Sequence, residues 1–355
     1  MILNKKLVIK LAKKNELKKI QNFLKLNYKK KHILSQNTKI FKWYYFKKKI
    51  NCTLAFIKKK IVGIYLFIPL SHFDVKLYDH KQIFGSLWSI KGFNRLTNKN
   101  NNNNSGAIAL KFFNKTYEIL KPKLIISVGL DNKLLNFHKV KRYNVLKLNH
   151  HFLTSPYIKK FKILKNITKL KFKHNKKIDK KINIKKIENV NEIKNLNIKN
   201  LFKEQLPFKS KIYLINRYLK DPSYKYHIYI ISKQKIICLC VFRIIKFKKI
   251  NIIRIVDYVG KNNTFKNLNT FFLNILKVHK AEYLDFYNYG IPLSILRQAG
   301  LSNKIDFNDI IIPNYFEPFV DKNIDIICAY KKLGAIGNVR IFKGDSDQDR
   351  SSLLK

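Results

Sequence analysis

The chain has 355 residues, 46% apolar and 13% aromatic, which suits two domains with buried cores and excludes an intrinsically disordered segment. Lys and Arg number 74 against 21 Asp and Glu, a formal charge of +53, and such a balance brings a nucleic-acid partner to mind. Only eight of the 74 are Arg, however, and Arg is the residue that reads phosphates and guanine edges bidentately; the Lys lie over every segment with Ile and Asn, as an AT-rich coding sequence would place them, so nucleic-acid binding ranks third among the readings.

The N-terminal stretch MILNKKLVIKLAKK has no continuous apolar core of the signal-peptide kind. The longest apolar run, IVGIYLFIPL at 61–70, is about half a membrane span. Cys52, Cys238, Cys240 and Cys328 lack metal-ligand spacing. These features predict a cytoplasmic protein without a metal, whose basic face can rest on anionic lipid.

In chain order, the sequence predicts a helix over 15–29 and a hairpin over 51–69 (NCTLAFIKKKIVGIYLFIP) that turns on lysines. A strand at 81–90 comes next. After a polar loop, Leu110, Phe113, Tyr117 and Leu120 share the face of one helix. A buried strand at 123–130 and a helix at 131–143 complete the set. Lys-rich text at 159–181 follows.

The same order then returns. Helical sequence at 191–220 precedes a hairpin at 225–244, and a strand follows at 251–259. Leu268, Phe271, Phe272, Ile275 and Leu276 mark a helix, followed by a strand at 282–290 and a helix at 292–301. The predicted division is an N-terminal domain 1–158, a linker 159–185 and a C-terminal domain 186–355 with an acidic tail.

Helix, hairpin, strand, loop–helix, strand, helix resembles the GNAT acyltransferase fold, and its repetition resembles two such domains in tandem. The expected fold class is α/β (α+β), each domain a mixed, mostly antiparallel sheet flanked by helices. GLDNKLLNFHKVKRYNV (129–145) and DFYNYGIPLSILRQAGL (285–301) resemble the family's text after its fifth strand. HIL (32–34), FKWYY (41–45), FIPLSHFD (67–74), PNYFEPF (313–319) and FKGDSDQDR (342–350) resemble GNAT-like proteins of bacterial surface-polysaccharide gene clusters.

The resemblance implies that the fourth and fifth strands of each domain splay to admit an acyl-CoA, without naming the acyl group. It also implies a pyrophosphate site where a loop opens the next helix. Ser105 and Gly106 are the candidates in the first copy, and Gly260 and Asn262 in the second. The implied reaction is acyl transfer, N-acetylation above all, from acetyl-CoA or another acyl-CoA to an amino sugar, nucleotide-sugar or polysaccharide precursor. Neither loop carries the family's Gln/Arg-x-x-Gly-x-Gly/Ala pattern. A non-catalytic binding or scaffold protein is therefore the second reading.

On the last helix of the first copy, His138 stands where the family often has an acid Tyr; Leu296 is the inert counterpart. His72 and Asp74, i and i+2 in PLSHFD, can form a carboxylate–imidazole pair or stabilise a turn. Asp285 is a candidate base and Asp257 a hydroxyl or amine acceptor, unless Arg254 or Arg243 pairs with them. Trp43 and Trp88 are candidates for stacking, or core residues, and Tyr287 stands with Asp257 and Asp285 at the strand ends of the second cleft as a substrate-binding candidate. Asn314 and Glu317 sit in an aromatic, proline-framed turn suited to carbohydrate.

Asp345, Asp347 and Asp349 alternate as a calcium loop begins, but Arg350 occupies the sixth place where an EF-hand needs Gly. The tail acids are expected instead to pair with cations around the cleft, or to bind a cationic sugar through Asp345 and Asp347.

Overall fold

The computed structural model describes residues 7–91, 104–167 and 182–352. Strands in chain order are β1 (Val8–Leu11), β2 (Cys52–Ile57), β3 (Lys60–Pro69), β4 (Gln82–Ile90), β5 (Leu124–Val128) and β6 (Asn144–Lys147). Next come β7 (Asn149–Thr154), β8 (Asn183–Lys186), β9 (Tyr226–Lys233), β10 (Lys235–Phe247), β11 (Ile250–Gly260) and β12 (Ala281–Tyr289). The last are β13 (Ser302–Asn303), β14 (Tyr315–Phe316), β15 (Phe319–Val320), β16 (Ile327–Lys332) and β17 (Ile341–Phe342).

Among the described residues these form a sheet of order β1-β2-β3-β4-β5-β16-β6, a second of order β13-β7-β12-β11-β10-β9-β8, and the small β14–β15 ribbon. Each large sheet has one parallel pair in the strand order, β4–β5 in the first and β11–β12 in the second. The repeated element order places these pairs at matching positions. Both expected hairpins form, and the first turns on Lys58 and Lys59 with φ of 49° and 62°.

The sheets do not divide at residue 158. β7, from the expected N-terminal domain, pairs with β12 in the second sheet, and β16 returns to pair with β5 in the first. The start of the expected linker is docked rather than free. Glu282 accepts the backbone N–H groups of Lys162, Ile163 and Leu164 at 2.9, 2.7 and 2.7 Å. Leu66 and Phe84 of the first sheet belong to the same buried cluster as Val256 and Tyr287 of the second, so one apolar core joins the halves.

Helices form where the apolar face repeats: Leu17–Asn27, Asn104–Leu120, Asn269–Val278 and Leu293–Gln298. The helical stretch expected at 191–220 is broken into Val190–Asn195, a 3-10 segment, and Lys211–Leu214 running into a π-turn. Pro207 lacks a backbone donor, and the adjoining Leu206 pairs its backbone with Asn338 and Arg340 instead of with a helical turn. No helix among the described residues is long and apolar enough to cross a membrane.

Candidate active site

β4 and β5 are paired from Gln82↔Leu124 to Gly85↔Ser127, and there the pairing stops. On the other side of β4, Leu66 faces Leu87 and Phe67 faces Gly85, so Ser86 is an extra residue in a β-bulge. A bulge adds twist to its strand, and β4 leaves β5 at this point. Ser86–Ile90 and Ser127–Asp131 then line a cavity of about 360 Å³, within the range that takes a small ligand.

The vertex is crowded. A Cβ on Gly85 would lie 2.5 Å from Tyr65 Oη and 2.7 Å from Ser127 Oγ. Gly129, with φ of +78°, lies under Gln348, whose Oε1 would be 2.1 Å from an added Cβ. At Gly129 the left-handed φ favours glycine, and at Gly85 any side chain would have to displace the Tyr65 and Ser127 hydroxyls.

Side chains converge on this cleft from three parts of the chain. His138, on the short helix Leu135–Val140, is buried and donates from Nδ1 to Leu134 O at 2.8 Å. The proton is thus on Nδ1 and the lone pair on Nε2, and burial lowers the pKa, so the ring is neutral. Tyr143 packs edge-on to it at 4.9 Å, and Trp88 packs on Phe137 at 5.0 Å. All three line the cavity.

Asp347 enters the same cleft from the C-terminal tail. It accepts from Tyr45 Oη at 2.8 Å and pairs with Arg350 Nε at 3.1 Å. Burial would raise its pKa, but Arg350 and the Tyr45 and Ser86 hydroxyls hold the carboxyl below its usual range. Arg350 in turn donates to His32 Nε2 at 2.7 Å; burial first and Arg350 second lower the His32 pKa to about 3.

The second sheet repeats the construction with a different ending. β11 and β12 pair as far as Ile255↔Phe286. Val241 faces Asp257 and Phe242 faces Ile255, so Val256 bulges as Ser86 does. Here the gap is filled. β17 pairs Ile341 and Phe342 with Tyr289 and Asn288, and Gly344 donates its N–H to Val256 O at 2.8 Å.

Gly344 is required for that approach, since an added Cβ would be 2.5 Å from Val256 O and 2.6 Å from Tyr218 Oη. Phe342 stacks on Phe286 at 5.5 Å. The expectation of a second open slot is therefore corrected: the chain's own tail satisfies the backbone groups that the splay frees.

The three tail aspartates pin this strap at three places. Asp345 pairs with Lys209 Nζ at 2.8 Å, and the same ammonium holds Asp257 at 2.7 and 2.8 Å, all fully buried. Asp347 reaches the first cleft. Asp349 accepts from Tyr226 Oη at 2.9 Å and lies 3.5 Å from Arg243 Nη1. Alternation puts successive carboxylates into different surroundings, and each finds its own cation.

Burial pushes the Asp345 carboxyl up to about 6 against the pull of Lys209, with the Asp257 charge adding to the rise. A folded-state pKa of about 6 above an unfolded value near 3.9 means the folded chain holds a proton the unfolded chain has released. This group's contribution to stability is thus fully present below the unfolded value and is lost as pH rises to about 6. Asp345→Asn is expected to abolish that slope. Urea titrations of both proteins at several pH values between about 4 and 7 check it; parallel pH profiles would contradict it.

Of the residues the sequence singled out, the first cleft brings together His138, Trp88 and Asp347. His72 and Asp74 do not pair. His72 Nε2 donates to Trp43 O at 2.7 Å and its Nδ1 meets Asn51 Nδ2 at 3.1 Å, while Asp74 caps the turn at Lys76 and accepts from Ser210 at 2.5 Å. Trp43 lines a separate apolar hollow with Phe46 and Phe73.

Asp285 and Asp257 are core ion pairs rather than a base and a substrate acceptor. Arg254 clamps Asp285 through Nε at 2.8 Å and Nη2 at 2.6 Å, and Asp257 also accepts from Tyr218 at 2.7 Å. Asp345 is consumed by Lys209 in the same way. Tyr287 stacks on His150 at 3.9 Å and accepts from Asn314 at 2.8 Å.

Gly260 gives its carbonyl to Arg340 at 2.5 Å, and Asn262 reaches Gly290 O at 3.4 Å. Both belong to the closed copy, which withdraws them as acyl-CoA ligands. Ser105 and Gly106 stand in the first turn of Asn104–Leu120; the Asn-rich loop before them, at 92–103, lies outside the described residues.

Asn314 and Glu317 line a second cavity of about 1000 Å³ on the second sheet. Gln348, Arg350 and Ser352 line both cavities. Tyr65, Ser86 and Lys343, which line the cavities, were not among the sequence candidates, and Arg243 and Arg350 were named there only as an ion-pair partner and as the residue that breaks a calcium loop; the rarity of Arg in so Lys-rich a chain was the available signal for these two. No cluster of three or more His, Cys, Asp or Glu that could hold a metal ion occurs among the described residues.

No protein-family model and no curated protein matches the chain. Solved structures do. A GCN5-related N-acetyltransferase from Anabaena variabilis aligns at 10% identity over 92% of this chain and 73% of its own, with a TM-score of 0.53. A protein of unknown function and probable N-acyltransferase from Enterococcus faecalis aligns at 12% identity over 93% and 73%, also at 0.53. With parallel splayed pairs at matching places in both sheets, the chain has the fold of two GNAT-like domains.

Proposed function

We propose that the protein is an acyl-CoA-dependent acyltransferase that works from its first cleft. The observation that carries this reading is the contrast between the copies. Both have the bulge and the parting parallel strands, yet only one gap is closed by the tail, and the open one is lined by a neutral imidazole.

In this reading the acyl thioester lies between β4 and β5. The acceptor amine attacks the thioester carbon, and His138 Nε2 takes the amine's proton. The C–S bond breaks, and the imidazolium returns the proton to the departing thiolate. Asp347, ionised beside Arg350, accepts a hydrogen bond from the acceptor's amine, which enters the reaction in its neutral form. The acceptor is an amino sugar or related precursor, in keeping with the aromatic and amide side chains of Tyr224, Tyr315 and Asn314 in the adjoining cavity.

Calorimetry with acetyl-CoA tests the proposal. One molecule is expected to bind per chain. Gly85→Val, which drives a side chain against Tyr65 and Ser127, is expected to weaken binding by about 10- to 100-fold, the cost of overpacking at the vertex. Absence of binding to the unaltered protein would favour the scaffold reading, for which the closed second copy already provides a precedent.

A further inference from the structure

The larger cavity carries a property of the acceptor that the acyl-transfer reading leaves open. Three of the chain's eight Arg, Arg243, Arg254 and Arg350, line it, together with Lys343. Coding bias explains surface Lys here but not the concentration of scarce Arg.

Arg254 is spent: its three nitrogens are engaged by Asp285 and by Asn314 O at 2.8 Å. Arg243 is not. The residue is 9% exposed, and its Nε and Nη1 have no hydrogen-bond partner among the described residues. Its guanidinium carbon lies over the Tyr224 ring, 3.9 Å from the centroid, and an Asp349 carboxylate oxygen is 3.5 Å from Nη1.

The cavity's acids complete it only in part. Glu317 accepts from Tyr224 Oη at 2.5 Å, and Asp349 accepts from Tyr226 Oη on Oδ2 at 2.9 Å while its Oδ1 stays 3.5 Å from Arg243 Nη1, an ion pair without a good hydrogen bond. Lys343, buried, gives one hydrogen bond to Asn314 O at 3.1 Å; burial and then the Arg254 charge push its pKa well down, so an anion in the cavity is what would hold it charged. Buried guanidinium donors such as Nε and Nη1 that lack a hydrogen-bond acceptor are costly unless something supplies one.

We propose that this cavity binds an oxyanion, phosphate or carboxylate, on the acceptor, with Arg243 as its principal ligand and Lys343 beside it. The shared wall of Gln348, Arg350 and Ser352 then sets the acceptor's amine toward the first cleft, where Asp347 stands. The acceptor is thus an anionic amino sugar rather than a neutral one. This rests on the acyl-transfer reading for the amine but not for the anion.

The test is calorimetric titration of the full chain, at about 0.15 M salt to screen its general charge, with glucosamine 1-phosphate, glucosaminuronic acid and glucosamine. At least one of the two anions is expected to bind with one-to-one stoichiometry and at least 10-fold more tightly than glucosamine; which one does so identifies the oxyanion. Arg243→Met is expected to abolish that preference. Arg243→Lys, which keeps the charge and loses the fork, is expected to retain part of it and serves if the methionine variant does not fold.

Equal binding of all three sugars, or an unchanged preference in the folded Arg243 variants, would overturn the proposal. Acetyl-CoA titrated into the same unaltered protein separates the two claims. If acetyl-CoA binds and neither anion is preferred, the oxyanion site falls alone. If an anion is preferred and acetyl-CoA does not bind, the site stands and the acyltransferase reading falls.

Discussion

Replacing Lys209 by methionine is expected to lower the free energy of unfolding by about 3–5 kcal/mol, the cost of stripping the counter-ion from buried charge. Lys209 is fully buried and is the ammonium between Asp257 and Asp345. Against the effect of burial, the two carboxylates hold its pKa above the usual lysine value, so it is charged at every pH of interest.

Without it, two carboxylates face each other out of water, and one must take a proton or the strap must leave. Because Asp345 belongs to the strap, the damage extends beyond the pair: β17 and the Gly344–Val256 bond are expected to loosen with it. The triple variant Lys209→Met, Asp257→Asn, Asp345→Asn is expected to recover a large part of the loss, since it removes the uncompensated charge. Urea unfolding of both variants measures this, and a loss under about 1 kcal/mol in the single variant would show the triad to be relaxed or hydrated.

The second large effect concerns rate. His138→Gln is expected to reduce acyl transfer to an amino-sugar acceptor by about 100- to 10,000-fold, the ordinary contribution of a positioned general base. Acetyl-CoA affinity should change little, because glutamine keeps the side chain polar and of similar reach. The unaltered protein should lose activity as His138 protonates on acidification, below the ordinary histidine range since burial lowers that pKa. The variant should lack this limb. A variant with full activity, or with the same acidic limb, would move the base to another residue, Asp347 first.

Much of the architecture was legible because local pattern and tertiary role agree. Leu268, Phe271, Phe272, Ile275 and Leu276 all pack into the core from one helical face, and the hairpin at 51–69 alternates between lysine turn and buried strand. The strand exchange was not legible. β7 and β16 have the same strand-like text whichever sheet they join, and only the three-dimensional path decides.

The broken stretch at 191–220 failed for a related reason, since Leu206 is taken up by Asn338 and Arg340, far along the chain. The lining of the first cleft was legible in part. His138 was singled out by its motif position and Asp347 by three conspicuous acids in a basic chain, and both line that cleft. Asp257 and Asp285 were equally conspicuous and proved to be structural, as the cost of burying an unpaired carboxylate allows. What sequence could not show was that one cleft is stoppered by the protein's own last strand.

That asymmetry is tested most directly by amide hydrogen exchange with and without a non-hydrolysable acetyl-CoA analogue. The account predicts added protection at Gly85–Ile90 and Ser127–Asp131, with exchange at Val256–Gly260 and at Tyr287–Tyr289 unchanged. Protection appearing instead at the second pair of segments, with release of Ile341–Gly344, would contradict it.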